Sequence, residues 1–308
     1  MLLHGESADL VITDQVSSVN AVVRLYGLAK RKLVFYCHYP DVLLCTDRGS
    51  WLKRMYRVPF DWLERSTTAM CDVLLVNSQF TASTLAKTFP NIKSKVHVLY
   101  PPIDTRPVKI EAPAGVTREK YFLSLNRYER KKDLGLAIEA FADFVSSAKQ
   151  LGLGDVVQLI MAGGYDARLS ENVEYFKELE ALIARTGLVG RVVMLKNISD
   201  AERKGFLAHA EAVIYTPQFE HFGIVPCEAM ALGTPVIAWN NGGPKESVLD
   251  GRTGWLCVDR SEFGKALSKS LNRSAKNRTE MSAACKKRVE SKFSLSAFSQ
   301  SLATLLDL

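Results

Sequence analysis

Two glutamates in the segment 220–228 are the residues whose spacing points most directly to chemistry. Glu220 and Glu228 lie on either side of a predicted strand-to-helix turn that contains Gly223 and Pro226. One carboxylate is therefore expected on a loop at the carboxyl end of a strand, and the other in the first turns of the following helix. Ionised carboxylates accept hydrogen bonds from hydroxyl groups, and parallel α/β sheets bind nucleotides and sugars at this edge. The segment predicts a sugar or ribose site.

A cluster of cations over residues 127–132 follows another predicted strand and precedes a helix. In this position Arg127 could bind a diphosphate with two hydrogen bonds, and Lys132 could add a point charge. A solvated basic turn is the commoner role of such a cluster. The residues alone leave both interpretations open.

Two pairs of glycines provide candidate phosphate-binding loops. Gly242 and Gly243 precede a predicted helix, whose first backbone N–H groups favour anions. Gly163 and Gly164 follow a predicted strand in a similar way. Because glycine pairs also mark ordinary turns, each pair is either a phosphate cradle or a plain connection between elements.

A single histidine follows a strand in the first part of the chain. His38 lies in the segment Cys37-His-Tyr-Pro-Asp41. A lone histidine is more often a structural hydrogen-bonding group than a catalyst. The alternative is that it faces a cleft and donates to a leaving phosphate or sugar oxygen.

Aromatic and aliphatic residues recur at helical spacing between Trp51 and Trp62. The pattern predicts a helix whose aromatic residues pack in the core. Contact with a membrane is the alternative, because Lys53, Arg54 and Arg57 accompany them.

The composition is that of an ordinary globular protein. The chain has 308 residues with 47% hydrophobic and 24% charged residues, which is enough for two domains. Its net charge of +7 suits anionic ligands, but the basic residues are scattered and no basic tract is interleaved with aromatics, so nucleic acid is not expected. The six cysteines have no metal-ligand spacing and are expected to be buried thiols in a reducing compartment.

Strands alternate with helices along the whole chain. This order predicts an α/β fold with two doubly wound, parallel-sheet domains that face one another across a cleft. The first domain is expected over residues 1–107, a Pro- and Gly-containing linker over 108–119, the second domain over 120–293, and a helical tail over 294–308.

Taken together, these motifs resemble the retaining family-4 glycosyltransferases of GT-B architecture. In that family an E-x7-E motif, an R-x4-K turn and a Gly-Gly-Pro loop surround a nucleotide-sugar donor. Longer segments resemble more specifically the eukaryotic mannosyltransferases that elongate the dolichol-linked N-glycan precursor. These segments lie at residues 37–41, 76–82, 126–132, 162–166 and 220–226.

The resemblance implies that GDP-mannose is the donor and a dolichol-diphosphate-linked oligosaccharide the acceptor. Mannose would be added in α-1,3 and then α-1,6 linkage, with retention, at the cytosolic face of the endoplasmic reticulum membrane. No metal or other cofactor is implied. A membrane surface and other transferases of the same pathway are the candidate partners. Within the family, the alternative is another nucleotide sugar with a glycolipid or polysaccharide acceptor.

The same resemblance assigns roles by position. Glu228 would hold the ribose hydroxyls and Glu220 those of the transferred mannose. Arg127 and Lys132 would neutralise the diphosphate, and His38 would lie near the reacting sugar. The other implied donor-binding residues are Phe222, Gly223, Ile224, Gly163, Gly164, Gly242 and Gly243.

The sequence departs from the family at its beginning. The family has a strand and a Gly-rich loop ahead of the segment that corresponds to Asp9, and this sequence has none. The first domain is therefore expected to be incomplete. The sequence then represents either part of a mannosyltransferase or a non-catalytic protein that binds a nucleotide sugar.

Overall fold

The chain forms two compact units, seen in a computed structural model. The structure describes residues 8–44, 51–106, 110, 116, 120–149 and 157–306. One unit contains residues 1–101 and 298–308, and the other contains residues 102–297. The linker predicted at 108–119 lies outside the described residues, apart from Ile110 and Val116.

The first unit is built on a four-stranded parallel sheet in the order β1-β2-β3-β4. Its elements in chain order are β1 (Ala8–Asp14), α1 (Ser18–Leu25), β2 (Ala29–Cys37), α2 (Asp41–Leu44), α3 (Trp51–Thr68), β3 (Val73–Val76), α4 (Gln79–Thr88) and β4 (Lys95–Val98).

The second unit is built on a six-stranded parallel sheet in the order β10-β9-β8-β5-β6-β7. Its strands are β5 (Lys120–Leu125), β6 (Val157–Gly163), β7 (Val192–Lys196), β8 (Ala212–Tyr215), β9 (Val236–Trp239) and β10 (Gly254–Cys257). The helices between them are α5 (Leu134–Lys149), α6 (Ser170–Arg185), α7 (Asp200–His209), α8 (Ile224–Ala231), α9 (Pro244–Ser247), α10 (Arg260–Leu271) and α11 (Ala275–Lys292), with a short 3-10 turn at Arg130–Lys132.

The closing helix α12 (Leu295–Leu306) completes the first unit, although the sequence assigned residues 294–308 to a separate tail. Leu306 packs in a buried cluster with Val34, Leu75 and Leu99 on one face of the first sheet. The other face packs on a cluster that includes residues from α1 and α4. Burial on both faces explains why the central strands carry apolar runs, residues 33–35 in β2 and Val73–Val76 in β3.

The predicted α/β class with two parallel-sheet domains is confirmed. In the second unit the chain enters the sheet at β5, winds outward through β6 and β7, and then returns to β8 on the other side of β5. The strands β5 and β8 are therefore neighbours, and the connections that follow them run to opposite sides of the sheet. Such a switch point leaves a crevice at the carboxyl edge of the sheet, where ligands of this class of fold bind.

The prediction that the aromatic residues between Trp51 and Trp62 form part of the core is wrong. These residues do lie in one helix, α3, which continues through Pro59, but the face that carries both tryptophans is exposed. The spacing correctly predicted a helix with Trp51, Met55 and Trp62 on one face. It could not identify the inward face, which is occupied by polar groups such as Arg57 and Glu64. Among the described helices, none is long and apolar enough to cross a membrane.

Main-chain contacts hold the loops together at the carboxyl edge of the second sheet. A Cβ atom on Gly243 would lie 2.0 Å from the carbonyl oxygen of Phe222, and one on Gly163 would lie 1.9 Å from that of Asn126. The Gly243 N–H donates to the carbonyl oxygen of Glu220 at 2.8 Å. Only glycine allows these loops to approach so closely.

We expect Gly243→Ala to lower the free energy of unfolding by about 1–3 kcal/mol or more, because the added methyl group overlaps backbone that cannot rotate away. Gly135→Ala is the matched control, since its Cβ would meet only Leu182 at 3.5 Å, an ordinary contact. Its effect should stay within about 1 kcal/mol. Urea unfolding followed by circular dichroism measures both. Equal effects of the two substitutions would contradict the packing role of Gly243.

Candidate active site

The crevice between β5 and β8 brings together two motifs that are 88 positions apart in the sequence. Lys132, in the 3-10 turn after β5, donates to Oε2 of Glu220 in the loop after β8, with Nζ and Oε2 2.5 Å apart. The Thr216 hydroxyl, just after β8, donates to the carbonyl oxygen of Lys132 at 2.6 Å. A side-chain ion pair and a backbone contact therefore join the two loops.

The Lys132–Glu220 pair is partly withdrawn from water, with 13% and 22% of the two side chains exposed. Burial alone would raise the pKa of the Glu220 carboxyl. The Lys132 ammonium outweighs burial through its charge and hydrogen bond, and a hydrogen bond from Tyr215 adds to it, so the pKa of Glu220 lies below its usual value. Glu220 is therefore ionised at neutral pH and accepts hydrogen bonds.

His221 faces the same charges with the opposite result. Its partial burial lowers the pKa of the imidazole, and the Lys132 and Lys131 ammonium groups lower it further against the opposing charge of Glu220. The ring is therefore neutral at neutral pH. The site gains no further positive charge from this histidine.

The second glutamate of the motif has a partner that the sequence did not identify. Glu228, on α8, forms an ion pair with the guanidinium of Arg203 on α7, and both side chains are half-buried. A capping box formed by Ser199 and Glu202 starts α7 and sets its first turn. Nothing in the residue types of this helix distinguishes Arg203 from an ordinary surface cation.

A cavity of about 410 Å³ opens beside these residues, within the size range of small-molecule sites. Arg203 and Arg127 both line it. Asn126 also lines it, and its buried Nδ2 has no hydrogen-bond partner within the described parts of the chain. Since an unsatisfied buried donor is costly, a ligand acceptor at this position would be favoured. The other lining residues are Leu125, Gly163, Gly164, Asn197, Ile198 and Val225.

The basic turn divides into cations with different partners. Arg127 is largely exposed and pairs with Glu129 at 2.6 Å, while Lys131 pairs with the same carboxylate at 3.0 Å. Arg130 instead reaches α6, where it pairs with Glu178 at 2.6 Å. The structure thus leaves Arg127 at the cavity and gives Arg130 a bridging role between elements.

The glycine pairs occupy two different positions. Gly163 and Gly164 line the cavity, where they also pack against the turn after β5. Gly242 and Gly243 instead pack against the backbone of the Glu220 loop, and a Cβ on Gly242 would lie 2.6 Å from the Glu220 carbonyl oxygen. A role of Gly242 and Gly243 in phosphate binding stays a prediction.

The residues that follow Glu220 have separate environments. Phe222 is buried in edge contact with Phe293, with ring centroids 5.7 Å apart, so its side chain contributes to packing. Gly223 begins α8 with a φ of 80°, and a Cβ there would lie 3.2 Å from the Tyr215 ring. Ile224 is exposed in the first turn of α8 and lines a smaller cavity of about 140 Å³.

His38 lies in the first unit and has its own partners there. Its Nε2 lies 2.9 Å from Oδ1 of Asp14, and its ring packs on the edge of Tyr36 with centroids 4.6 Å apart. Its backbone N–H donates to Gln15. These contacts are those of a structural histidine, and its predicted place near a reacting sugar stays a prediction.

The chemistry of the second-unit site is therefore that of hydroxyl and anion binding. Two carboxylates, those of Glu220 and Glu228, are each held by a cation, and Arg127 adds a further positive charge at the cavity. Within the described ranges, no group of three or more His, Cys, Asp or Glu side chains is arranged to hold a metal ion.

We expect Lys132→Met and Glu220→Gln each to destabilise the fold, and the double variant to recover part of the loss. Removing one partner leaves the other charge half-buried, so the coupling energy should be about 1–3 kcal/mol. Because folding lowers the pKa of Glu220, this coupling is present at neutral pH and is lost as pH falls through the folded-state pKa. Urea unfolding of the four proteins measures it.

The exposed pair Lys276–Glu280, with Nζ and Oε1 3.9 Å apart, is the control for this cycle. Its coupling energy should be no more than about 0.5 kcal/mol, because solvent screens exposed charges. A coupling between Lys132 and Glu220 as small as that of the control pair would show that the contact does not join the two loops.

Two family models together match almost the whole described chain. The model of Glycosyltransferase Family 4 matches residues 1–106, and that of Glycosyl transferases group 1 matches residues 106–291. The boundary between the two matches falls beside the boundary between the two structural units.

Two relatives from distant organisms carry the same name. The chain is 42% identical over 326 residues to Alpha-1,3/1,6-mannosyltransferase ALG2 of Dictyostelium discoideum, covering 99% of this chain and 77% of the relative. It is 44% identical over 310 residues to the protein of the same name from Mus musculus, covering 98% and 74%.

Solved structures show the same fold at low sequence identity. Sucrose-phosphate synthase from Thermosynechococcus elongatus superposes with a TM-score of 0.73 at 21% identity, covering 97% of this chain and 73% of that one. Anabaena HepE in complex with UDP has a TM-score of 0.73 at 20% identity, covering 97% and 78%. At these identities the likeness concerns the fold alone.

Proposed function

The chain belongs to glycosyltransferase family 4, in the group of the alpha-1,3/1,6-mannosyltransferases, and we propose that it transfers mannose from GDP-mannose to a dolichol-diphosphate-linked oligosaccharide. The transfers proceed with retention and form an α-1,3 and then an α-1,6 linkage. The observation that carries the proposal is the contact between Lys132 and Glu220 at the switch point of the second sheet.

The geometry of this contact supports a donor site. A nucleotide diphosphate in the 410 Å³ cavity would lie against Arg127 and against Arg203, the partner of Glu228. Glu220, kept ionised by Lys132, accepts hydrogen bonds from the mannose hydroxyls, and Glu228 accepts them from the ribose. The buried Asn126 amide supplies a donor for a ligand oxygen.

Charge stabilisation is the main contribution of the chain to the reaction. When the bond between mannose C1 and the donor phosphate breaks, negative charge develops on the diphosphate, and the bond from the acceptor oxygen forms on the same face of the sugar. Arg127, at the cavity, and the half-buried Lys132 neutralise that charge. The proton of the acceptor hydroxyl passes to the leaving diphosphate. The carboxylates act as hydroxyl acceptors and not as an acid/base pair, and no metal takes part.

The acceptor determines where the enzyme works. A dolichol chain is confined to a bilayer, so the protein acts at a membrane surface, which we assign to the cytosolic face of the endoplasmic reticulum. Other transferases that act on the same lipid-linked acceptor are its candidate partners there.

The test is transfer of radiolabelled mannose from GDP-mannose to a mannosyl-chitobiosyl-diphospho-lipid acceptor. The chain should transfer mannose, and Glu220→Gln should lower kcat/KM by about 100- to 1000-fold, because one preorganised electrostatic contact with the donor is lost. Glu280→Gln changes an exposed glutamate on α11 and should leave transfer unchanged.

Calorimetric titration with GDP and UDP separates donor binding from turnover. The chain should bind GDP more tightly than UDP. Binding of GDP without any transfer would favour a non-catalytic nucleotide-sugar-binding protein instead. Undiminished transfer by Glu220→Gln would refute the role of this carboxylate.

A further inference from the structure

Three adjacent strands of the second sheet, β5, β6 and β7, each end in a loop that contributes residues to the 410 Å³ cavity. We call these loops, at residues 126–128, 163–165 and 196–198, the cavity loops. The paired part of β6 and β7 ends at Gly163 and Lys196, and the Asn197 N–H then donates to the carbonyl oxygen of Gly163 at 2.9 Å. The shape of the cavity wall therefore depends on contacts made at and beyond the strand ends.

The side chain of Asn197 continues the pairing where the strands have ended. Its Oδ1 accepts from the backbone N–H of Tyr165, and its Nδ2 donates to the carbonyl oxygen of Tyr165, both at 2.8 Å. A side-chain amide offers the same donor and acceptor as a peptide group, so Asn197 forms one more rung between the two loops. Its backbone has a left-handed φ of 51°, a conformation that asparagine tolerates better than most residues. Such backbone outliers are concentrated at functional sites.

The side chain of Tyr165 is held from the other direction. The Lys196 ammonium lies 4.0 Å from the centre of the Tyr165 ring and 3.9 Å from that of Phe176 on α6. The two rings meet edge to face with their centroids 5.4 Å apart. A cation over two aromatic rings is attracted to both. Asn197 thus holds the backbone of Tyr165, while Lys196 and Phe176 hold its ring.

Tyr128 joins the loop after β5 to the same assembly. Its ring is fully buried against Phe176, with centroids 4.9 Å apart. Its hydroxyl lies 2.9 Å from the carbonyl oxygen of Leu195 in β7 and 3.0 Å from that of Met161 in β6. Its backbone N–H donates to the carbonyl oxygen of Gly164 at 3.0 Å. The three cavity loops are therefore tied together by side chains as well as by main chain.

We propose that Asn197 is a positioning residue for the nucleoside diphosphate part of the donor, because it holds the loop at residues 163–165 in its binding conformation. Gly163 and Gly164 of that loop line the cavity, whereas the Asn197 amide is engaged by Tyr165. The side chain of Asn197 therefore acts on the ligand through the loop. The proposal rests on the proposed function, since it takes this cavity as the donor site.

The amide bridge between Asn197 and Tyr165 should affect nucleotide binding rather than bond breaking. Without the bridge the loop is in its binding conformation for only a fraction of the time, and the apparent affinity falls by that fraction. The contact between Lys132 and Glu220 is made by other loops. Asn197 is exposed, so water can replace its two hydrogen bonds at little cost to the free energy of unfolding.

The test is calorimetric titration of the unchanged chain and of Asn197→Gly with GDP. Glycine adopts a φ of 51° without steric cost, so this substitution removes the amide and keeps the turn. The Kd of GDP should rise about tenfold, as it does when about a tenth of the molecules have the loop in place. A loss of folded protein would instead lower the molar ratio at saturation and leave Kd unchanged, which would overturn the proposal.

Lys196→Met tests the same wall from a residue that does not line the cavity. Methionine keeps an unbranched side chain against the Tyr165 and Phe176 rings but removes the charge, so the Kd of GDP should rise about threefold. The matched control is Lys276→Met, which removes an equal charge from an exposed position on α11 and should leave Kd unchanged. Equal changes in both lysine variants would assign the effect to net charge and overturn the role of the loop.

Hydrogen exchange shows whether the loop has been released. In Asn197→Gly without ligand, the Tyr165 N–H should exchange faster than in the unchanged chain, because its acceptor has been removed. Bound GDP should slow this exchange again. Faster exchange with an unchanged Kd of GDP would overturn the proposal, since the order of the loop would then not govern binding.

Transfer kinetics separate this proposal from the proposed function. In Asn197→Gly the KM for GDP-mannose should rise about tenfold while kcat stays within about twofold, the pattern of lost binding that is equal in ground and transition states. Binding of GDP by the unchanged chain without mannose transfer would refute only the proposed function, and the comparison of Kd values would still decide the role of Asn197. Mannose transfer with the same KM in both chains would refute only the role of Asn197.

Discussion

The contact between Lys132 and Glu220 depends on the order of strands in the second sheet. Because β8 returns beside β5, the loops after these two strands are neighbours although they are far apart in the sequence. A sheet in which β8 lay at an edge would leave the basic turn and the E-x7-E motif on different strands without contact. The strand order is therefore what makes one site from two motifs, and the packing of glycine loops against main chain holds that site in place.

Both glutamates of the motif reach the site already paired with a cation, Glu220 with Lys132 and Glu228 with Arg203. For Glu220, pairing with Lys132 holds the pKa of the carboxyl below its usual value, which burial alone would oppose. It also has a consequence for binding. A ligand with hydroxyl groups and a diphosphate offers donors to the carboxylates and acceptors to the cations, so it can replace each ion pair without leaving an unpaired charge.

Much of this arrangement could be predicted from the sequence. The spacing of apolar residues and the positions of glycine and proline largely determine where helices, strands and turns form. The family resemblance is confirmed by the matches over both units, and the E-x7-E and basic motifs do come together. Arg203 could not be found in the same way, since its importance comes from where α7 packs and not from its neighbours in the chain. The roles of Gly242 and Gly243 were equally hidden, because the backbone they touch is that of a distant loop.

The prediction that the tryptophans of α3 lie in the core was wrong for a physical reason. Helical periodicity divides residues into faces, but the inward face is chosen by the partners available, and here α1 and α2 offer Ser17, Asn20 and backbone N–H groups. Burying polar groups costs free energy unless each is hydrogen bonded, so such a helix is stable only when its partners are complete. Because the polar side of α3 packs on α1 and α2, both tryptophans of α3 face outward. The exposure of Trp51 and Trp62 thus follows from how α3 packs on its neighbours.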